Sequence, residues 1–152
     1  MDLKLFTDDW KEFLHLANCH RLRYLVVGGV AVNYYGYVRS TADIDIWIAN
    51  TSANMVRLKK CMRDFGFGQQ AQTIPAKLGK RDVIFMGKAP FRIDILSGIS
   101  GVTFAAAYRR KVIMKLNEMS IPVIHLKDLI ANKRASGRIK DQADVEVLGR
   151  LM

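Results

Sequence analysis

Residues 28–48 read GGVAVNYYGYVRSTADIDIWI, and most of what can be inferred about the fold starts from this block. The apolar run 24–27 before the two glycines is typical of a buried strand that enters a tight turn. A short helix can follow the glycines. Over 43–48, isoleucine alternates with aspartate and tryptophan, and this period of two predicts a strand with Asp43 and Asp45 on one face.

The two aspartates suggest a metal site. Carboxylates side by side on one strand repel each other and resist burial. A divalent cation between Asp43 and Asp45 would relieve this repulsion, and hard oxygen ligands suit Mg²⁺. Asp94 is a third acid of the same kind, because the alternating run 91–96 predicts another strand. Three carboxylates on neighbouring strands can hold two metal ions, although acids at a sheet edge can also simply face solvent.

Helix and strand patterns alternate along the rest of the chain. The first helix is expected to start near Asp8 and Asp9, and later helices are expected over 52–65, with Ser52 as N-cap and Gly66 and Gly68 as its end, and over 103–111, 126–135 and 141–151. Strands are predicted over 82–86 and 91–96, joined as a hairpin, and over 112–116 and 121–124. This mixture predicts an α/β (α+β) fold, a small mixed β-sheet flanked by helices. We expect one domain, 1–152, with a core motif region at 22–96 and a C-terminal helical segment at 125–152.

The composition is that of a globular domain with an excess of positive charge. The 152 residues include 24 Lys or Arg and 14 Asp or Glu, which gives a formal net charge of +10, and 50% are hydrophobic. The excess lies in 51–152, whereas 1–50 is close to neutral. Such a surface either attracts phosphate, as nucleotide or nucleic acid, or is merely solvated.

The sequence lacks the marks of a membrane-anchored or exported protein. No apolar run approaches the roughly 20 residues of a membrane span. Residues 1–10 contain Asp8 and Asp9 and no long apolar stretch, which argues against a signal peptide. Cys19 and Cys61 are more simply explained as free thiols in a reducing compartment than as a disulfide. We therefore expect a cytoplasmic protein with no membrane partner.

Gly28 and Gly29 lie where backbone N–H groups can approach a phosphate, between a predicted strand and a predicted helix. The signal is weak alone, because two glycines after a strand often form only a turn. Neither a dinucleotide-binding fingerprint nor a P-loop motif is present. The position of the glycines, a short helix before Asp43 and Asp45, would bring phosphate donors and metal ligands into one site.

Taken together, these residues resemble a known family. A strand, Gly28-Gly29, the segment 30–42 and Asp43-Ile44-Asp45 are similar to the signature of the nucleotidyltransferase superfamily typified by DNA polymerase β and kanamycin nucleotidyltransferase. Within it, Gly28-Gly29-x-Ala31, Arg39-x-Thr41 and the run 125–148 look most like small bacterial nucleotidyltransferases, similar to the toxins of abortive-infection toxin–antitoxin pairs.

The resemblance implies a transferase that moves a nucleotidyl group from an NTP to an acceptor hydroxyl, with Mg²⁺ or Mn²⁺, and releases pyrophosphate. It implies that Asp43 and Asp45 bind metal, that Asp94 is the third carboxylate and positions or deprotonates the acceptor, and that Gly28 and Gly29 contact the triphosphate. Many relatives have Ser at the position of Gly29, so one side-chain phosphate donor is absent here. Many also carry a further helical domain at the acceptor site, which here would be open or completed by a partner.

Three basic residues are candidates for nucleotide binding. Lys133 and Lys140 are expected near the triphosphate, since a compact ammonium is a common phosphate ligand. Arg39 either pairs with a carboxylate or reaches a phosphate. The alternative for each lysine is a solvated helix face, which is the preferred interpretation for Lys59. An aromatic group beside the motif is expected in the core, with one member available to stack on the base: Tyr34, Tyr35, Tyr37 and Trp47.

The acceptor stays open between RNA, a protein and a small molecule. The excess positive charge favours RNA, with a basic set as backbone contacts: Lys77, Lys80, Arg81, Arg109, Arg110 and Lys111. An acidic partner protein, such as an antitoxin, would use the same charge. The alternative function is a non-catalytic RNA- or partner-binding module on the same fold, and the presence of all three acids favours the enzyme.

Overall fold

The computed structural model describes residues 5–152, which form a six-stranded sheet flanked by helices. In chain order the elements are α1 (Asp8–Cys19), β1 (Tyr24–Val27), α2 (Gly28–Tyr34), β2 (Asp43–Ile48), α3 (Ser52–Asp64), α4 (Gly68–Gln72), β3 (Val83–Met86), β4 (Arg92–Leu96), α5 (Phe104–Arg109), β5 (Val112–Leu116), β6 (Met119–Val123), α6 (Leu126–Ser136) and α7 (Ile139–Gly149). Among these described residues, no helix has the length and apolar character needed to cross a membrane.

The sheet is mixed, and its strand order is β3-β4-β2-β1-β6-β5. β2 runs parallel to β4, and β1 runs parallel to β6. The other pairs are antiparallel, including the predicted hairpin of β3 and β4. The predicted fold class, a mixed sheet flanked by helices, is therefore confirmed.

The alternation in β2 separates a buried face from the face that carries the acids. Ile44, Ile46 and Ile48 are fully buried, as the period of two predicts. Asp43 and Asp45 are half-buried on the opposite face. The apolar face fixes the register, because a slip by one residue would expose every isoleucine, and the same constraint fixes where the aspartates point.

The first helix begins where its sequence predicts. The Thr7 hydroxyl accepts a hydrogen bond from the Trp10 backbone N–H at 3.1 Å, and two acids occupy the first turn. Four apolar residues of this helix recur at a spacing of three or four, and all four are buried: Trp10, Phe13, Leu14 and Ala17.

Three boundaries differ from the sequence prediction. The N-cap of α3 is Thr51, not Ser52, since the Thr51 hydroxyl accepts from the Asn54 N–H at 3.2 Å. Gly68 does not end a helix but begins α4, which buries Ala71. The glycine pair is not a turn ahead of α2 but its first two residues, with Gly28 at a φ of +65°. The first difference is a local one, because threonine and serine are both common N-cap residues.

The C-terminal helices meet at a glycine. α6 ends at Gly137, whose φ of +69° is left-handed and is readily adopted only by glycine. α7 starts at Ile139, two residues earlier than its pattern predicts. The tight connection packs α7 against α6 and brings Asp141 to Lys133.

Candidate active site

The parallel pairing of β2 and β4 assembles three carboxylates. In this register Asp45 lies opposite Asp94, and Asp43 lies opposite Arg92. Residues that lie opposite each other, or two apart on one strand, project from the same face. One oxygen of each of the three carboxylates lies within 4.8 Å of the others. Asp43, Asp45 and Asp94 are called the carboxylate triad below.

Arg92 pairs with the triad, although the sequence did not lead us to predict Arg92 as a site residue. Its Nε donates to Asp94 Oδ1 at 2.7 Å, and its Nη2 donates to Asp94 Oδ2 at 3.0 Å and to Asp43 Oδ2 at 2.8 Å. The guanidinium also lies over the Phe85 ring, 4.8 Å from its centroid. The signal was available, because an arginine two positions before Asp94 must share its strand face.

One arginine does not neutralise three acids. Burial, the largest cause, together with the charges of Asp43 and Asp94, raises the pKa of Asp45 from 3.8 to about 7, against the opposing effect of Lys133 and Arg92. Burial also raises the pKa of Asp94, although Arg92 donates hydrogen bonds to it. The triad therefore carries negative charge that a further cation would stabilise.

The triad fits a magnesium ion. Its donors are hard carboxylate oxygens, which Mg²⁺ prefers. In an octahedral Mg²⁺ shell adjacent ligands are about 3 Å apart and opposite ligands about 4.2 Å apart, so oxygens within 4.8 Å of one another can close on one ion by side-chain movement. The raised pKa of Asp45 supplies the electrostatic reason for a cation at this place.

The glycine pair packs directly against the triad. A Cβ at Gly28 would overlap the Asp45 carboxylate, and a Cβ at Gly29 would lie 2.7 Å from Thr41 Cγ2. Gly28 also has a positive φ, which side chains rarely adopt. Glycine at 28 therefore lets the backbone approach the Asp45 carboxylate, and glycine at 29 leaves room for Thr41.

A cleft of about 800 Å³ opens over the triad and the glycine pair. The cleft is lined by every residue predicted from the sequence for the site: Gly28, Gly29, Arg39, Asp43, Asp45, Asp94, Lys133 and Lys140. Polar residues that the sequence reasoning did not select complete its lining: Ser40, Thr41, Arg92, Ser100, Asn132, Ser136 and Arg138. None of the four aromatic residues beside the motif lines this cleft in the described part of the chain.

Two of the three predicted phosphate-binding cations already have carboxylate partners. Lys133 is buried, and its Nζ lies 3.0 Å from Asp141 Oδ1 and 3.2 Å from Asp144 Oδ2. Arg39 donates two hydrogen bonds to Asp144, at 2.7 and 2.9 Å. Lys140 is exposed on the cleft wall and forms no ion pair within 5–152. It is thus the predicted cation most available to a ligand.

The acids of α7 and their partners form a closed network. Asp141 accepts hydrogen bonds from Ser136, from Lys133 and, at 2.7 Å, from Arg138 Nε. Burial, the largest single influence, raises the pKa of Asp141, but these three donors together lower it to about 2. We call Asp141, Asp144 and their four partners Arg39, Lys133, Ser136 and Arg138 the α7 network. The ion pairs of this network fix the positions of Arg39 and Lys133, which line the cleft.

Of the basic residues expected to contact RNA, two contact other side chains of the fold and two others are exposed before β3. Arg110 donates two hydrogen bonds to Asp128, at 2.9 and 2.8 Å, and the Lys111 Nζ lies 4.1 Å from the centroid of the Tyr108 ring. Lys80 and Arg81 are exposed before β3.

Comparison with known proteins adds no relative: no family model matches the chain, and no curated protein matches it.

Proposed function

We propose that the protein is a Mg²⁺-dependent nucleotidyltransferase that moves a nucleotidyl group from an NTP to an acceptor hydroxyl. The observation that carries the proposal is the carboxylate triad, whose charge is only partly neutralised, directly beside the glycine pair in one cleft. This arrangement joins a divalent-metal site to a backbone that can approach phosphate. It agrees with the resemblance to the nucleotidyltransferase superfamily.

The cleft offers a plausible place for each part of the reaction. In the proposal, the triphosphate lies between the glycine pair and the wall that carries Arg39 and Lys140. The acceptor oxygen bonds to the α-phosphorus, the bond from that phosphorus to the β-phosphate oxygen breaks, and pyrophosphate leaves. The acceptor proton passes to Asp94. Mg²⁺ on the triad would supply charge neutralisation for the phosphates.

The size and polarity of the cleft support a nucleotide as ligand. A volume of about 800 Å³ lies within the usual range of ligand sites, roughly 300–1,000 Å³. A lining that holds both basic residues and acids suits a triphosphate that is bound together with a divalent cation.

The test is transfer of label from each of the four α-³²P-labelled NTPs, with Mg²⁺, in the presence of total RNA, cell extract or no addition. We expect label to appear in an acceptor with one or a few of the NTPs. EDTA and the Asp43→Asn/Asp45→Asn double variant should abolish it. Absence of label transfer in every mixture, together with no Mg²⁺-dependent NTP binding, would leave only the non-catalytic binding module.

The same resemblance extends the proposal to a toxin-like role in the cytoplasm. A toxic transferase should arrest growth when it is expressed from an inducible promoter, and the arrest should require the triad. Expression of the Asp45→Asn variant at an equal level is the matched control. Equal arrest by both forms would contradict a catalytic toxin.

A further inference from the structure

The edge strand β3 exposes apolar side chains where an edge strand usually presents polar ones. Ile84 and Met86 are buried, but Val83 is 42% exposed and Phe85 is 54% exposed. Solvent-facing positions of edge strands normally carry polar or charged residues that prevent association. The exposed Val83 and Phe85, at alternate positions of an edge strand, therefore indicate a surface that binds a ligand or partner.

These side chains lie on the face of the sheet that carries the triad. The antiparallel register of β3 and β4 places Phe85 opposite Asp94, and Val83 opposite Leu96. Opposite residues share a face, and the Arg92 guanidinium over the Phe85 ring is consistent with that arrangement. Phe85 is thus the neighbour of Asp94 on the side away from β2.

A second groove adjoins the cleft and is lined by residues that precede β3 and follow β4. It has a volume of about 610 Å³, and its lining includes Lys80, Arg81, Trp47 and Phe104; within 5–152, no acid lines it. We call it the basic groove. It shares Ile99 with the cleft.

Arg81 lines the basic groove and forms a hydrogen bond with a residue of the cleft. Its Nη1 donates to the hydroxyl of Ser100 at 3.2 Å, and Ser100 lines the cleft. At about 3.3 Å per residue, Arg81 lies roughly 13 Å along the chain from Phe85. An extended ligand could therefore contact Phe85 and Arg81 at once and still reach the cleft.

The floor of the basic groove has an unpaired donor. Trp47 is 1% exposed, and its indole Nε1 is buried without a hydrogen-bond partner among the described residues. Buried indole N–H groups usually have an acceptor. Because Trp47 lines the same groove as Lys80 and Arg81, the donors and charges of this groove suit a ligand that carries acceptor oxygens.

We propose that β3 and the basic groove bind a single-stranded nucleic acid as the acceptor, with its terminal base stacked on Phe85 and the phosphates behind it at Arg81 and Lys80. Exposed aromatic rings beside a basic groove are the usual means of holding single strands, because every base has a face that can stack. The orientation rests on the proposed function, since Asp94 beside Phe85 is where the acceptor hydroxyl would react.

Binding is tested without catalysis, by fluorescence anisotropy of a short fluorescein-labelled single-stranded RNA of mixed sequence in EDTA and without NTP. Phe85→Ala should weaken binding by about 5- to 100-fold, whereas Phe85→Trp should retain it because the larger ring still stacks. The matched control is Ile113→Ala, an apolar residue, 48% exposed, on the opposite edge strand. Equal losses from Phe85→Ala and Ile113→Ala would overturn the assignment.

The phosphate contacts are tested by salt dependence. The Lys80→Ala/Arg81→Ala double variant should lower the slope of log affinity against log salt by about 1.4, which corresponds to two phosphate contacts on a single strand. The Lys60→Ala/Arg63→Ala double variant removes the same charge from exposed positions of α3 and should leave the slope unchanged. Failure of the single strand to bind at low salt, or tighter binding of a duplex or an acidic protein, would refute the proposal.

The outcomes separate this inference from the proposed function. Phe85-dependent RNA binding without any label transfer from NTPs would refute the transferase and leave the binding surface in place. Label transfer that Phe85→Ala changes neither in rate nor in acceptor affinity would support the transferase and overturn the acceptor surface.

Discussion

The acids that line the cleft and the acids of α7 that pair with its basic residues differ in how completely they are neutralised. Within the part of the chain that the structure describes, the carboxylate triad has one direct cationic partner, Arg92. The two buried acids of the α7 network share three cations and a hydroxyl. Burial raises the pKa in both groups, yet the pKa of Asp45 lies at about 7 and that of Asp141 at about 2.

The difference shows that partners, rather than burial, separate a ligand site from a structural support. A buried acid with donors on every side contributes to a fixed arrangement of the chain. An acid that shares one cation with two other acids keeps negative charge available for a ligand. This difference supports the proposal that the triad binds metal and that the α7 network positions the cleft wall.

The largest expected effect comes from Asp45→Asn. Phosphoryl-type transfer depends on positioning and charge neutralisation, so the rate of label transfer should fall on the order of 10³-fold or more. Because the substitution removes a repelled charge, the melting temperature of the metal-free protein should stay the same or rise. Initial rates and thermal unfolding in EDTA measure the two. A large drop in melting temperature would mean that Asp45 is structural.

The α7 network should show the opposite behaviour. Asp144→Ala leaves the buried Lys133 without one of its two partners, so the free energy of unfolding should fall by about 3–5 kcal/mol. Urea denaturation measures it. Glu146→Ala, on the same helix but 74% exposed, is the matched control and should stay within about 0.5 kcal/mol of the wild type. Similar values for both variants would show that the network is not structural.

The two groups should also give opposite pH dependences of stability. The folded pKa of Asp45 lies above its unfolded value of 3.8, so the metal-free folded state binds more protons, and its free energy of unfolding should fall as pH rises toward about 7. The folded pKa of Asp141 lies below 3.8, so its contribution is present above that pH and is lost as pH falls toward about 2.

Urea unfolding in EDTA across this pH range separates the two contributions. Asp45→Asn should reduce the decline between about pH 4 and 7, with the part due to Asp94 remaining, and should leave the acid limb unchanged. A decline of the same size in the variant would place its origin elsewhere.

The smallest expected effect concerns the exposed cation. Lys140→Ala should weaken NTP binding by about 2- to 5-fold, since an exposed charge is screened by solvent, and should leave stability unchanged. Lys59→Ala, on α3 away from the cleft, is the control and should change neither. Isothermal titration with NTP and Mg²⁺ measures it. Equal binding by both variants would remove Lys140 from the nucleotide site.

Local periodicity explains why much of the site could be predicted. A period of two predicts the shared face of Asp43 and Asp45 and the strand that carries Asp94. The same period places Arg92 on the face of Asp94, so this contact was also predictable. The partners of the cations could not be predicted in this way. Arg39 pairs with Asp144 across 105 positions of the sequence, and no local pattern encodes such a contact.

By itself, the sequence determined the alternation of helices and strands, the mixed character of the sheet and the face on which each acid lies. The elements and the faces of the acids follow from backbone periodicity, which acts over a few residues, and the mixed sheet was inferred from the order of the elements along the chain. Only the tertiary structure decided that β2 and β4 pair in the register that sets Asp45 beside Asp94. It also decided that acids of α7 pair with Lys133, whereas Lys140 forms no ion pair among the described residues. Charge neutralisation depends on distances between segments remote in sequence, and packing of the whole chain sets those distances.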